Sequence, residues 1–240
     1  MTTNDGTPEK GAPYDAELMA ASTDLGAALR ELIEASVTTT TPAAEVAAAA
    51  ELVRGATARL AVSRRSAATL PVLDDPAVGR RVFNPVVGTA SALAPPLRLR
   101  RDGDGVVAEA TLGVAYEGPP SYVHGGMSAL FMDQLLGSAA GAAGLWGMTA
   151  HLELDYRGPL PLETPLVFRA WVDSTAGRKS VIAGTIALAS DPDRPLVEAR
   201  GIFVMPRPEK AQAYFGAITD AAGRHTPPRR PGDATSVQWG

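Results

Sequence analysis

The run Tyr122-Val123-His124-Gly125-Gly126-Met127-Ser128-Ala129-Leu130-Phe131-Met132-Asp133 decides how this chain is read. From Gly118 to Leu152, 35 residues, Asp133 is the only side chain with a formal charge at neutral pH. An ionisable group in such an apolar segment must find a partner or shift its pKa, because burying an unpaired carboxylate is costly. His-Gly-Gly opens a helix predicted from Gly125 to about Ala142. Its two glycines admit close approach to the backbone, and the first helical N–H groups lack intrahelical partners. The positive end of the helix dipole suits a carbonyl oxygen gaining negative charge. A lone acid together with such amides fits acyl-transfer or hydrolytic chemistry.

Outward from that helix, the pattern is strand-like on both sides. Leu97–Arg101, a turn at Asp102-Gly103-Asp104-Gly105, and Val106–Leu112 read as a β-hairpin before it. After it come four runs of period two, Met148–Tyr156, Leu166–Asp173, Arg178–Ala189 and Pro195–Met205. The order β-β-α-β-β-β-β predicts an α+β domain, an antiparallel sheet curved against one long apolar helix.

Upstream, Asp15 to about Ser36 reads as a helix with Leu18, Leu25, Leu29, Leu32 and Ile33 on its apolar face. Thr41 as N-cap and Pro42 at the first helical position open a second helix, running to about Ser63. The two form an expected αα-hairpin, a structural arm too slight to fold alone and so packed on the main domain or a partner subunit. Five prolines between Leu70 and Pro96 predict an extended connector with a turn at Asn84-Pro85 and Gly88. The expected division is therefore 1–69 for a disordered start and helical arm, 70–96 for the connector, 97–206 for the main domain and 207–240 for a tail. A short helix near Glu209 to Ala222 is expected within that tail.

Composition narrows the function. A net charge of −4 with no basic cluster gives no argument for nucleic acid. The absence of cysteine excludes disulfides, thiolate metal sites and a Cys nucleophile. No clustered His or carboxylate set suggests a metal, and no cofactor is expected. The Met1–Gly11 segment has no secretory pattern, and glycines, prolines, His124 and Asp133 interrupt the one weakly polar stretch. The expectation is a cytoplasmic protein without a membrane span.

With these residues in hand, the chain resembles the hotdog-fold acyl-CoA thioesterases, in their phenylacetic-acid-degradation and thioesterase-superfamily-member branch. The matching residues are Tyr116-Glu117-Gly118-Pro119-Pro120, Tyr122 through Gly126, Asp133, Gly147-Met148-Thr149-Ala150 and Tyr156 through Leu162, within about Leu97–Met205. The resemblance implies that Asp133 is the catalytic carboxylate, acting as general base or nucleophile, and that Thr149 positions the water. It sets His124 and the Gly125 N–H near the thioester carbonyl. Related thioesterases often carry Asn six residues before the His, where this chain has Gly118.

Other readings stand beside these. Asp133 also fits a structural carboxylate, Thr149 a plain strand residue, and Gly125 and Gly126 tight helix–sheet packing. Arg157, Arg178 and Lys179 are candidates for the coenzyme A phosphates, although a solvated turn explains them as well. Trp146 and Trp171 read as core or interface residues.

His124 and Asp133 lie about 13 Å apart along one helix at 1.5 Å per residue. If both act on one thioester, the acid comes from a second copy. The resemblance supplies that arrangement, a homodimer with shared sites, with a dimer of dimers as an extension. A non-catalytic acyl-CoA-binding hotdog and a hotdog enoyl-CoA hydratase are the rival functions.

Overall fold

A computed structural model describes residues 15–75, 79–95, 97–207 and 209–210. The polar start through Tyr14, Pro76, Pro96 and the tail beyond Lys210, with most of the helix expected there, lie outside the described residues. The elements are α1 (Ala16–Thr38), α2 (Ala43–Leu60), β1 (Arg100–Asp102), β2 (Gly105–Thr111), α3 (Gly125–Ala142), β3 (Met148–Tyr156), β4 (Pro165–Ala176), β5 (Lys179–Leu188) and β6 (Asp191–Val204), with one 3-10 turn at Val114–Tyr116. All strands join one antiparallel sheet in the order β1-β2-β4-β5-β6-β3.

The sheet closes around α3. Phe131, Met132, Leu135, Leu136 and Ala139 of the helix are buried with Phe168, Ile182, Ile186, Val197 and Phe203 of the strands. Phe131 stands edge-on to Phe168, ring centres 6.2 Å apart, and to Tyr116 at 5.8 Å. Such aromatic geometry adds to the area buried. Close approach needs a missing side chain at Gly184, where a Cβ would lie 2.6 Å from Met132 Cε. Trp171 is 42% exposed on β4, so it is no part of this core.

The described residues between Leu70 and Pro95 form a succession of turns with one isolated bridge, Asp75 to Arg80. Leu73, Val82 and Val86 are buried, and the buried Asp74 accepts from Val82 N at 2.7 Å and Arg81 Nε at 3.0 Å. The Asn84 turn is real: Gly88 N–H donates to the Asn84 carbonyl, and a Cβ on Gly88 would lie 2.4 Å from Asn84 N. Asn84 also donates to Gln134 Oε1 at 2.9 Å, tying the connector to α3 beside Asp133.

The arm departs from expectation in three respects. Helix α1 docks through Gly26, Arg30 and Glu34, four residues apart on one face. Gly26 lies against the Ala90 backbone, Arg30 donates to the Thr89 and Ser91 carbonyls, and Glu34 accepts from Val114 N and Ala115 N. The expected apolar face points elsewhere, with Leu18, Leu25 and Leu32 each more than a third exposed. Backbone groups offered by residues 89–91 and by the main domain at 114–115 select a polar face over an oily one. Second, α2 buries no residue, so the expected hairpin is open. Third, Pro42 takes the cap position while the Thr41 hydroxyl pairs with Thr39 Oγ1 at 3.0 Å.

Candidate functional site

The His-Gly-Gly segment builds the N-terminus of α3. His124, with extended backbone, is the N-cap, and its Nδ1 accepts the Gly126 N–H at 2.9 Å. A neutral imidazole accepting at Nδ1 carries its proton on Nε2, so His124 presents an N–H donor outward. The same bond occupies the Gly126 amide, correcting the expectation that both glycine amides are open to a ligand. The Gly125 N–H, one residue earlier, has no intrachain partner among the described residues.

Gly118 explains itself here. A Cβ at that position would lie 2.6 Å from His124 Cα. No side chain fits while this loop holds, so an amide side chain at that place has no counterpart here.

Strand β3 fastens α3 at two points. Thr149 Oγ1 donates to Asp133 Oδ1 at 2.8 Å, and Tyr156 Oη donates to the Gly125 carbonyl at 2.8 Å. The lone carboxylate therefore finds a partner. It is half-buried on α3, with one oxygen held by Thr149. Tyr156 escaped the sequence reading as a site residue, although it opens the Tyr156-Arg157-Gly158-Pro159 run. Its ring lies where a side chain on Gly125 would press, with Tyr156 Oη 3.4 Å from the built Cβ.

Thr149 reaches Asp133 because β3 is bulged. Leu152 and Leu154 pack against the core cluster and Tyr156 reaches α3, so the even-numbered positions face the helix. Strict alternation would turn Thr149 away. Between Thr149 and His151 the register slips, so that Thr149 pairs with Phe203 and His151 with Ile202, leaving Ala150 unpaired. The extra residue restores Thr149 to the helix side.

The three expected phosphate cations are split. Arg157 holds Glu198 at 2.6 Å and Asp155 at 3.1 Å, which raises its pKa through the Glu198 hydrogen bond first and the charges of Asp155 and Glu198 next. It is committed to surface ion pairs at the Tyr156 end of β3. Arg178 and Lys179 sit at the opposite end, where Lys179 pairs with Val204, itself opposite Met148. Arg178 donates one bond to the Met205 carbonyl at 2.8 Å. Two cations are thereby set two strands from Thr149.

No described helix is long and apolar enough to cross a membrane. No group of three or more His, Asp or Glu residues able to hold a metal occurs among the described residues.

Comparison with known proteins follows the same segment. Residues 121–192 match the model of the Thioesterase superfamily. Over 98 residues the chain is 34% identical to acyl-coenzyme A thioesterase THEM4 of Mus musculus, covering 41% of this chain and 42% of that protein. Over 95 residues it is 37% identical to THEM4 of Xenopus laevis, covering 38% of this chain and 41% of that protein. The chain thus matches about two fifths of the length of these curated relatives. A crystal structure of a thioesterase superfamily protein superposes with a TM-score of 0.68 at 34% identity, over 80% of this chain and 97% of that one. That match takes in far more than the sheet and its helix, and by it the chain belongs to the thioesterase superfamily, with the hotdog fold.

Proposed function

We propose that this chain hydrolyses an acyl-coenzyme A thioester to the free acid and coenzyme A. The observation that carries the reading is the bond from Thr149 Oγ1 to Asp133 Oδ1, made beside a helix whose first amide is open. The THEM4 relatives are named as acyl-coenzyme A thioesterases, in agreement with it.

In this reading the Gly125 N–H and the His124 Nε2–H polarise the thioester carbonyl. Asp133, ionised, uses its other oxygen to take a proton from a water that also donates to Thr149 Oγ1. The water oxygen attacks the carbonyl carbon, and collapse of the tetrahedral intermediate expels the coenzyme A thiolate, which takes up a proton. Direct attack by Asp133, forming a mixed anhydride that water then opens, uses the same residues. Arg178 and Lys179 offer positive charge to the coenzyme A phosphates, while Arg157 is occupied.

The acid and the amide belong to different copies. From Gly125 to Asp133 the helix rises about 12 Å, too far for one carbonyl to meet both. The edge strand β3 supports a paired assembly, since it hydrogen-bonds on one side to β6 and leaves Met148, Thr149, His151, Glu153 and Tyr156 exposed. An exposed edge is a template for another strand. A homodimer joined at β3 would bring one subunit's Gly125 toward its partner's carboxylate.

The test is Asp133→Asn, assayed by thiol release from a panel of acyl-coenzyme A esters. General-base catalysis is worth ~10²–10⁴ in rate. A loss of that size with unchanged fold and assembly mass is expected; an unchanged kcat on a good substrate overturns the role. Binding of acyl-coenzyme A by the unaltered protein without turnover of any ester would overturn hydrolysis itself.

A further inference from the structure

Two helices of the arm leave matching apolar seams uncovered. In α1, Leu18, Ala21, Leu25, Ala28, Leu32 and Ala35 follow alternating steps of three and four residues, and all six are exposed. They occupy the face opposite the docked Gly26, Arg30 and Glu34. In α2, Val46, Ala49, Val53, Ala56 and Leu60 repeat the same steps, and these five are exposed as well. This 3.5-residue period is the pattern of a coiled-coil seam.

The seams fit one another. Laid antiparallel, they set Ala35 against Val46, Leu32 against Ala49, Ala28 against Val53, Leu25 against Ala56 and Ala21 against Leu60. Every layer opposes a branched side chain to an alanine, which keeps the layer volume even and lets the backbones approach. The flanking positions in this register bring Asp24 beside Arg59, and neither has an ion-pair partner among the described residues. No like charges oppose. Two α1 helices paired with each other would set Asp24 against Glu31, a repulsive contact.

The chain's own α2 does not cover its α1. Thr39 and Pro42 are both extended, with ψ of 142° and 153°, and the Thr39 hydroxyl bonds Thr41 N at 3.2 Å and Thr41 Oγ1 at 3.0 Å. The linker is held open. The 18-residue α2 buries no side chain, so it lacks the tertiary packing that supplies most helical stability in proteins. We propose that α2 of a second copy lies antiparallel on α1, and that the exchange is reciprocal. One two-fold operation then covers all four seams, the economy that makes exchange of identical elements a common route to dimers.

The chain has no cysteine, which permits a direct test. In the full-length protein, Ala28→Cys combined with Val53→Cys places two thiols in one expected layer. Mild oxidation followed by non-reducing electrophoresis should convert most of the chain to a covalent dimer. The control Ala28→Cys with Ala47→Cys, its second thiol on the outer side of α2, should stay monomeric. A disulfide formed within single chains would mean that α2 folds back on its own α1 and overturns the exchange. Free thiols in both variants would mean that a different partner, or none, covers the seam, and would overturn it equally. Independently, Asp24→Arg should reduce dimer crosslinking, and adding Arg59→Asp should restore it. Thioester turnover, which uses none of these residues, reports that each variant is folded.

Discussion

Thr149 on β3 and Asp133 on α3 share a 2.8 Å hydrogen bond that a regular strand would not allow. The bulge at Ala150 puts Thr149 on the helix side, so the bond depends on backbone shape as well as on residue type. Two substitutions separate these causes. Thr149→Ala removes the donor, and hydrogen bonds to charged groups are worth about 1.5–3 kcal/mol. A fall in kcat of roughly ten- to a hundredfold is expected. The exchange Thr149→Ala with Ala150→Thr puts the hydroxyl where strict alternation would aim it at Asp133. In the bulged strand it should not rescue turnover, and a measured recovery would show that β3 is regular there.

Tyr156 acts on the other end of the helix. Its hydroxyl donates to the Gly125 carbonyl, so it orients the peptide next to the amide assigned to the thioester oxygen. Tyr156→Phe keeps the ring under Gly125 and deletes the bond. The expected cost is about 1 kcal/mol, roughly a fivefold drop in kcat with KM little changed. Tyr156→Ala should cost more, because the ring that floors Gly125 goes too. If Phe and Ala behave alike in steady-state kinetics, the hydroxyl is the whole contribution; if Phe matches the unaltered enzyme, the hydroxyl bond does not position Gly125.

The element order was legible because hydrophobic period two and period 3.6 survive in each segment from Leu97 to Met205, and Asp133 stood out by its isolation. The bulge was not legible. Thr149 sits in an ordinary Met-Thr-Ala-His run, and nothing local tells which of two neighbours a strand will leave unpaired. The occupied Gly126 amide was hidden for a similar reason, since His124 as cap and His124 as site residue look alike in sequence. In α1, Leu18, Leu25 and Leu32 mark the free face, while Leu29 and Ile33 are half-buried. Docking through Arg30 and Glu34 requires knowing which backbone groups of residues 89–91 and 114–115 stand open, and that is set by distant segments. The pairing of Arg157 with Glu198 was hidden because Glu198 lies on β6 and meets it only across strands, whereas Asp155 is its near neighbour in sequence.

Tyr116 links the arm to alkaline stability. Its pKa is raised to about 12 from 10.0, first by burial, with Glu34 adding to the rise and Arg30 opposing it. The folded protein therefore favours the neutral phenol. Below pH 10 both folded and unfolded chains hold the proton, and the stabilisation is fully present. Between about pH 10 and 12 the unfolded chain ionises while the folded one does not, so stability falls as pH rises through that window. Urea midpoints taken on either side of pH 10 should show this decline. Tyr116→Phe should flatten it relative to the unaltered protein, and identical slopes would remove Tyr116 as the cause.

Glu34 ties the arm to the segment that leads into the site. Its two carboxylate oxygens accept from Val114 N at 2.9 Å and Ala115 N at 3.0 Å, capping the 3-10 turn from eighty residues away. A side chain on Gly113 would lie 2.6 Å from that carboxylate, so the backbone and the acid fit only with glycine there. The capped turn leads straight to the site, because the Tyr116 carbonyl accepts the His124 N–H at 2.9 Å. Glu34→Ala strands two amides at a cost comparable to losing a helix cap, about 0.5–2 kcal/mol. For a domain of this size that is a fall in Tm of roughly 2–4 °C per kcal/mol. Glu34→Gln retains one acceptor oxygen and should fall between. A thermal melt in which Glu34→Ala matches the unaltered protein would mean that α1 is held by Gly26 and Arg30 without it. Loss of kcat in Glu34→Ala at a temperature well below its melt would show that the turn also steadies His124.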